Sequence, residues 1–217
     1  MATALLIIDM QEDFLPPDGS LAVAGGRDLI NPIINLLKSR KWDAIIATKD
    51  WHPQNHISFA QSKDDLYTTI DVKSPYGTDE IKTQTLWPVH CIQNSEGAKY
   101  PKELEDAITE AKENGTPTLI VHKGTETGKE SYSCFRDIWD KGDTKCESFL
   151  RENNISKVIV VGLALDFCVF HSSVDSKQCG FKTVVYTDLS KPVNSDTTEI
   201  MEKYKDNGIE LETWDGK

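Results

Sequence analysis

The sequence predicts an α/β protein with a three-layer α/β/α, Rossmann-like fold around a mostly parallel sheet of about six strands. Three observations lead there. Short apolar runs recur along the chain, continuous rather than alternating, as in strands buried on both faces. Helix-length segments with one apolar face separate most of them, the pattern of successive β-α units. The 217 residues, 38% hydrophobic and 27% charged, suit one ordinary core, so residues 1–217 are expected to form a single domain.

The expected strands run from Ala4 to Ile8, Ala44 to Ala47, Thr118 to Val121, Lys157 to Gly162 and Thr183 to Tyr186. A weaker sixth lies from Ile209 to Thr213. Asp28 to Lys38 places Leu29, Ile33, Leu36 and Leu37 on one helical face. Lys102 to Glu113 does the same with Leu104, Ala107, Ile108 and Ala111, and Asn114-Gly115 ends it. Further helices are expected over Cys146 to Arg151, Cys168 to Cys179 and Thr198 to Asn207, the last closed by Gly208. The segment around 50–100 has no clear period and is rich in Pro, His, Trp and Thr. A stretch of that length in a compact domain is usually functional, so metal- and substrate-binding residues are expected there.

Composition excludes several classes of function. With 24 Lys+Arg against 35 Asp+Glu, the formal charge of -11 repels polyphosphates, which argues against a nucleic-acid partner. Five cysteines without a CxxC pair fit a reducing compartment better than a disulfide framework. The first apolar run is ended by Asp9, too short for a membrane span or a signal peptide. A cytoplasmic protein without membrane contact is the expectation.

In a parallel sheet the carboxyl ends of the strands share one edge, and ligands bind in the crevice there. The residues at those ends are Asp9, Asp50 with His52, Lys123 and, past Gly162-Leu163-Ala164-Leu165-Asp166-Phe167, Cys168 at the start of a helix. Taken singly, each reads as packing, a loop cap or a solvated charge. Delivered together to one edge, they point to chemistry. The helix dipole and Lys123 would favour a Cys168 thiolate, and Asp9 could take the thiol proton. Asp50 and His52 stand two apart in an extended segment and so point the same way. With His90 they make a ligand set suited to Zn²⁺, Fe²⁺ or Mn²⁺; hydrogen-bonded loop histidines are the alternative. His56 is placed as a fourth ligand or as a hydrogen-bonding neighbour, and Cys91 is expected to point away. Phe14, Trp87 and Tyr132 lie off any helical or strand period, either as satellite core or as a slot for a flat heterocycle. His122, His171, Cys134, Cys146 and Cys179 are read as packing or surface.

Five stretches occur in order: Leu5-Leu6-Ile7-Ile8-Asp9-Met10-Gln11-Glu12-Asp13-Phe14, Thr48-Lys49-Asp50-Trp51-His52-Pro53 with His56-Ile57-Ser58-Phe59, Leu86-Trp87-Pro88-Val89-His90-Cys91, His122-Lys123-Gly124, and Val161-Gly162-Leu163-Ala164-Leu165-Asp166-Phe167-Cys168-Val169. Through them the chain resembles the yeast-type nicotinamidases of the isochorismatase-like cysteine hydrolase superfamily along nearly its whole length. The resemblance implies hydrolysis of nicotinamide to nicotinic acid and ammonia, a step of NAD salvage, with pyrazinamide also cleaved. It implies a catalytic triad of Asp9, Lys123 and Cys168. It also implies one divalent metal, usually Zn²⁺, on Asp50, His52 and His90, with His56 behind them. A cis peptide between Leu163 and Ala164 would turn the Ala164 amide towards that of Cys168 to form an oxyanion hole. Phe14, Trp87, Tyr132 and Leu163 would bind the substrate, its ring nitrogen towards the metal. Two positions depart from the usual pattern: His122 before the lysine, and Leu163 in place of valine. The family leaves a homo-oligomer, and a nuclear or peroxisomal location, open. A related cysteine amidohydrolase acting on another small amide or ureido group is the alternative enzyme. A non-catalytic metal or metabolite sensor would be expected to have lost a triad residue, and the ether-cleaving isochorismatase branch lacks the nucleophilic cysteine.

Overall fold

The continuous apolar runs become the middle of the sheet. A computed structural model describes residues 1–142 and 144–216. The strands are β1 (Thr3–Ile8), β2 (Ala44–Asp50), β3 (Thr69–Lys73), β4 (Ile81–Thr85), β5 (Thr118–Lys123), β6 (Lys157–Leu163), β7 (Lys182–Lys191) and β8 (Glu210–Glu212). The helices are α1 (Ile30–Lys38), α2 (Lys102–Glu113), α3 (Cys146–Glu152), α4 (Cys168–Gln178) and α5 (Thr198–Asp206). Six strands form one sheet in the order β5-β2-β1-β6-β7-β8, every neighbouring pair parallel.

All six residues of β1 are buried because the sheet is covered on both faces. Leu5 and Ile7 pack with Ile33, Leu36 and Leu37 of α1 and with Leu104 and Ile108 of α2. Ala4, Leu6 and Ile8 turn the other way, towards Leu150 of α3, Val169 of α4 and Ile200 and Tyr204 of α5. The chain leaves β1 in one direction to β2 and β5 and in the other to β6, β7 and β8. The switch point therefore lies between β1 and β6, where a doubly wound sheet opens its crevice.

The long middle segment is not wholly irregular, as the sequence reading had it. β3 and β4 pair antiparallel as a separate two-stranded ribbon, Thr69 opposite Thr85 and Lys73 opposite Ile81. Most of its residues are exposed or half-buried, so no apolar period announces it. Tyr76 fastens the ribbon by donating its hydroxyl to Asp137 at 2.5 Å, and Lys82 donates to the Ile138 carbonyl. Among the described residues no helix is long and apolar enough to cross a membrane.

Gly162 is the tightest point of the central pair. Its φ is +112°, it sits opposite Ile8, and a Cβ there would run into the Ile8 carbonyl oxygen. Both strain and collision oppose a side chain. Gly162→Ala is therefore expected to lower the unfolding free energy by roughly 3 kcal/mol or more in denaturant melts. Gly180→Ala, also at positive φ but with open space around its Cβ, is expected to cost only about 1–2 kcal/mol.

Candidate active site

The ends of β1, β2 and β5 converge on one buried ammonium. Lys123, the last residue of β5, pairs with Asp9 just past β1 at 2.8 Å and with Asp50 at the end of β2. Its Nζ also reaches the Cys168 thiol at 3.2 Å and the Ser131 carbonyl at 3.3 Å. Asp9 is held from its other side by Thr48, whose hydroxyl donates to Oδ1 at 2.5 Å and accepts from the Asp9 amide at 3.0 Å. Gln11 grips the Asp50 backbone twice, accepting from its amide at 2.7 Å and donating to its carbonyl at 2.8 Å. Asp13 accepts from the Cys91 amide at 2.6 Å and so anchors the loop next to His90.

This packing decides the charges. Burial pushes the Asp9 carboxyl up to about 6, against the pull of Lys123. Burial acts on Asp50 in the same sense, but there Lys123 and His52 outweigh it and hold the carboxyl well below the usual range. The two carboxylates keep Lys123 charged despite its burial. Burial pushes the Cys168 thiol well above its ordinary value, and Lys123 pulls it the other way. That direction favours the protonated thiol, which a base would activate. Cys168, Asp9 and Asp50 place one side-chain atom each within 4.8 Å of one another, so Asp9 is in reach.

On the far side of Asp50 stand two imidazoles. Asp50 Oδ2 lies 3.7 Å from His52 Nε2 and 3.8 Å from His90 Nε2. These gaps are too long for hydrogen bonds but suit three ligands around a common centre. The other ring nitrogens support this. His52 Nδ1 bonds the Gly124 carbonyl at 2.9 Å and His90 Nδ1 the Pro88 carbonyl at 2.7 Å. Since a carbonyl only accepts, each ring carries a proton on Nδ1 and turns Nε2, the nitrogen available to a metal, towards Asp50. This donor set fits a divalent ion. His56 stacks on His52 at 4.1 Å, but both its nitrogens are engaged, by Ser58 at 2.7 Å and the Lys129 carbonyl at 3.0 Å. Burial lowers its pKa, which keeps that ring neutral. Cys91 directs its sulfur to the Gly97 carbonyl and is not part of the cluster.

A narrow cleft opens beside these groups. Phe14, Trp87, Tyr132 and Leu163 line it, together with Ala164 and Cys168. The Leu163–Ala164 peptide is cis, and α4 begins at Cys168. Trp87 donates its indole N–H to the Tyr132 hydroxyl at 3.1 Å, which fixes both rings. Five lining residues escaped the sequence reading, Leu21 and Val23 among them. Phe167 meets Trp87 edge-on at 4.8 Å, Val193 comes from the loop after β7, and Glu130 is a buried carboxylate near His52 and His56. Glu130 sits in a run of Lys, Glu and Thr that reads as surface; Phe167 was within a quoted motif without being assigned to the site.

Residues 3–215 match the isochorismatase domain family. The nicotinamidase of Saccharomyces cerevisiae is 38% identical over 207 residues, covering 93% of each chain. A crystal structure of the yeast nicotinamidase bound to the inhibitor nicotinaldehyde superposes with a TM-score of 0.91 at 35% identity, covering 98% of this chain and 100% of that one. A zinc complex of the pyrazinamidase of Pyrococcus horikoshii matches with a TM-score of 0.72 at 29% identity, covering 99% and 100%.

The cluster makes a direct test available. Purified protein should carry one divalent ion per chain by elemental analysis, and Asp50→Ala or His52→Ala should lose most of it, since three protein ligands are the minimum for a tight open site. Stoichiometric metal in His90→Ala would place the third ligand elsewhere.

Proposed function

The chain belongs to the isochorismatase domain family, and on that premise we propose that it hydrolyses nicotinamide to nicotinic acid and ammonia through a thioester on Cys168. The observation that carries this reading is the Lys123 ammonium bridging Asp9, Asp50 and the Cys168 thiol beside a cleft with aromatic walls. The nicotinamidase and pyrazinamidase relatives supply the substrate class, and nicotinamide salvage towards NAD follows from it.

Phe14, Trp87 and Tyr132 hold the flat ring and keep water from its faces. A divalent ion on Asp50, His52 and His90, zinc on this reading, would supply a Lewis acid for the ring nitrogen. Asp9 takes the proton of Cys168, and the sulfur attacks the carboxamide carbon. The amides of Ala164 and Cys168 receive the developing oxyanion, with Lys123 offsetting charge nearby. Asp9 then returns the proton to the leaving nitrogen, and ammonia departs from the thioester. A water deprotonated by Asp9 attacks the thioester carbon, the C–S bond breaks, and nicotinic acid and the free thiol are restored. An Asp can serve in both directions because its pKa near 6 lies close to neutral pH.

Ammonia release from nicotinamide and pyrazinamide tests the reading, with benzamide as the analogue lacking a ring nitrogen; equal turnover of benzamide would remove the nitrogen's anchoring role. Cys168→Ala should abolish release while leaving fold and metal intact, and Asp9→Asn should be nearly as damaging. Lys123→Ala should lose on the order of 10²-fold or more, and because the three act as a unit, double variants should add little. Cys146→Ala and Cys179→Ala should leave turnover almost unchanged.

Acid should also stop the reaction. Asp9 must be ionised to accept the thiol proton, so kcat/KM is expected to fall as pH drops through about 6. A profile flat down to pH 4 in metal-replete enzyme would assign the base elsewhere.

A further inference from the structure

The turn that presents the nucleophile is tied to a second segment by one side chain. Asp166 stands two residues before Cys168, and its carboxylate accepts three hydrogen bonds from the strap that follows β7. They come from the Val193 amide at 2.8 Å, the Asn194 amide at 2.9 Å and the Asn194 side chain at 2.9 Å. The Leu165 amide adds a fourth tie, donating to the Lys191 carbonyl at 2.9 Å. Beyond this clasp Asn194, Ser195 and Asp196 are exposed.

Val193 is the strap residue that reaches the cleft, where Leu21, Val23 and Leu163 supply the other aliphatic side chains of the lining. It is β-branched, so its side chain has little rotameric freedom and stands where its backbone puts it. Its backbone, in turn, stands where Asp166 puts it. An ionised acceptor on three N–H donors is a strong and directional restraint.

We infer that Asp166 is a positioning residue which holds Val193 against the cleft, so that the two together set how large a ring carboxamide the site admits. The inference rests on the nicotinamidase reading and adds to it the residues that limit ring size. A purely structural staple would make a different prediction: loosening it would slow every substrate alike. A wall fixed at a distance discriminates, because one methyl group at an aliphatic surface is worth roughly 10–200-fold.

The experiment measures kcat/KM for nicotinamide and for its 4-, 5- and 6-methyl derivatives in the wild type, Val193→Ala, Asp166→Ala and Asp166→Asn. Turnover of nicotinamide by the wild type decides the parent reading in the same assay. For the inference, Val193→Ala should raise the ratio of at least one methylated amide to nicotinamide by about tenfold or more. Asp166→Ala should raise the ratio of the same derivative, and the double variant should go little beyond the larger single effect, since both act on one wall. Asp166→Asn keeps an acceptor oxygen and should fall between wild type and Asp166→Ala. Parallel loss on all four amides in Asp166→Ala, with ratios unchanged, would overturn the inference. So would a changed ratio confined to Val193→Ala.

Discussion

A fully buried ammonium cannot stand without counter-charge, and in this molecule Lys123 has two carboxylates, a carbonyl and a thiol around it. One positive charge among two acids leaves the acids unequal. Asp50, closer in and supported by His52, stays ionised, whereas Asp9 is left near 6. Environments that push paired acids apart in this way assign them different work, one as a permanent charge and one as a proton carrier. Asp50 thereby faces in two directions, towards Lys123 with Oδ1 and towards His52 and His90 with Oδ2. The electrostatics around the Cys168 thiol and the Asp50–His52–His90 cluster are joined through a single side chain.

The parallel sheet makes that junction possible. The partners come from the ends of β1, β2 and β5 and the start of α4, which only a sheet with all its carboxyl ends on one edge brings together. Short polar side chains then refine what the sheet delivers. Gln11 reads the backbone of Asp50, Thr48 orients Asp9, and Asp13 secures the loop beside His90. Gln11 and Asp13 grip backbone beside the charged cluster, whereas Thr48 bonds the Asp9 carboxylate itself.

Much of this was legible in the sequence because burial on both faces writes itself as unbroken apolar runs. Leu5-Leu6-Ile7-Ile8 and Val158-Ile159-Val160-Val161 are such runs, and they became the two central strands. Asp9, Asp50, Lys123 and Cys168 were found by position, as residues at strand ends. The β3–β4 ribbon was not legible, since a hairpin with exposed faces has no apolar signature, and Thr-Ile-Asp-Val-Lys looks like loop. Glu130 was missed for a related reason: a buried carboxylate in a charged stretch has no local mark of its burial. At Cys168 a helix start and a nearby lysine are visible in sequence, whereas the depth of the thiol is not.

The strand order has a further bearing on how the molecule comes into being. β1 is synthesised long before one of its two neighbours, β6, which pairs Val158 with Ala4. Until that distant strand leaves the ribosome, β1 has an open edge, and the wall of the cleft that carries Leu163, Ala164 and Cys168 is missing. Pairings of such long sequence separation close slowly and leave adhesive surface exposed meanwhile. Yield in the cell should therefore depend on how the nascent chain is sheltered between the synthesis of β1 and that of β6, and fragments that stop before β6 should aggregate rather than form smaller folded units.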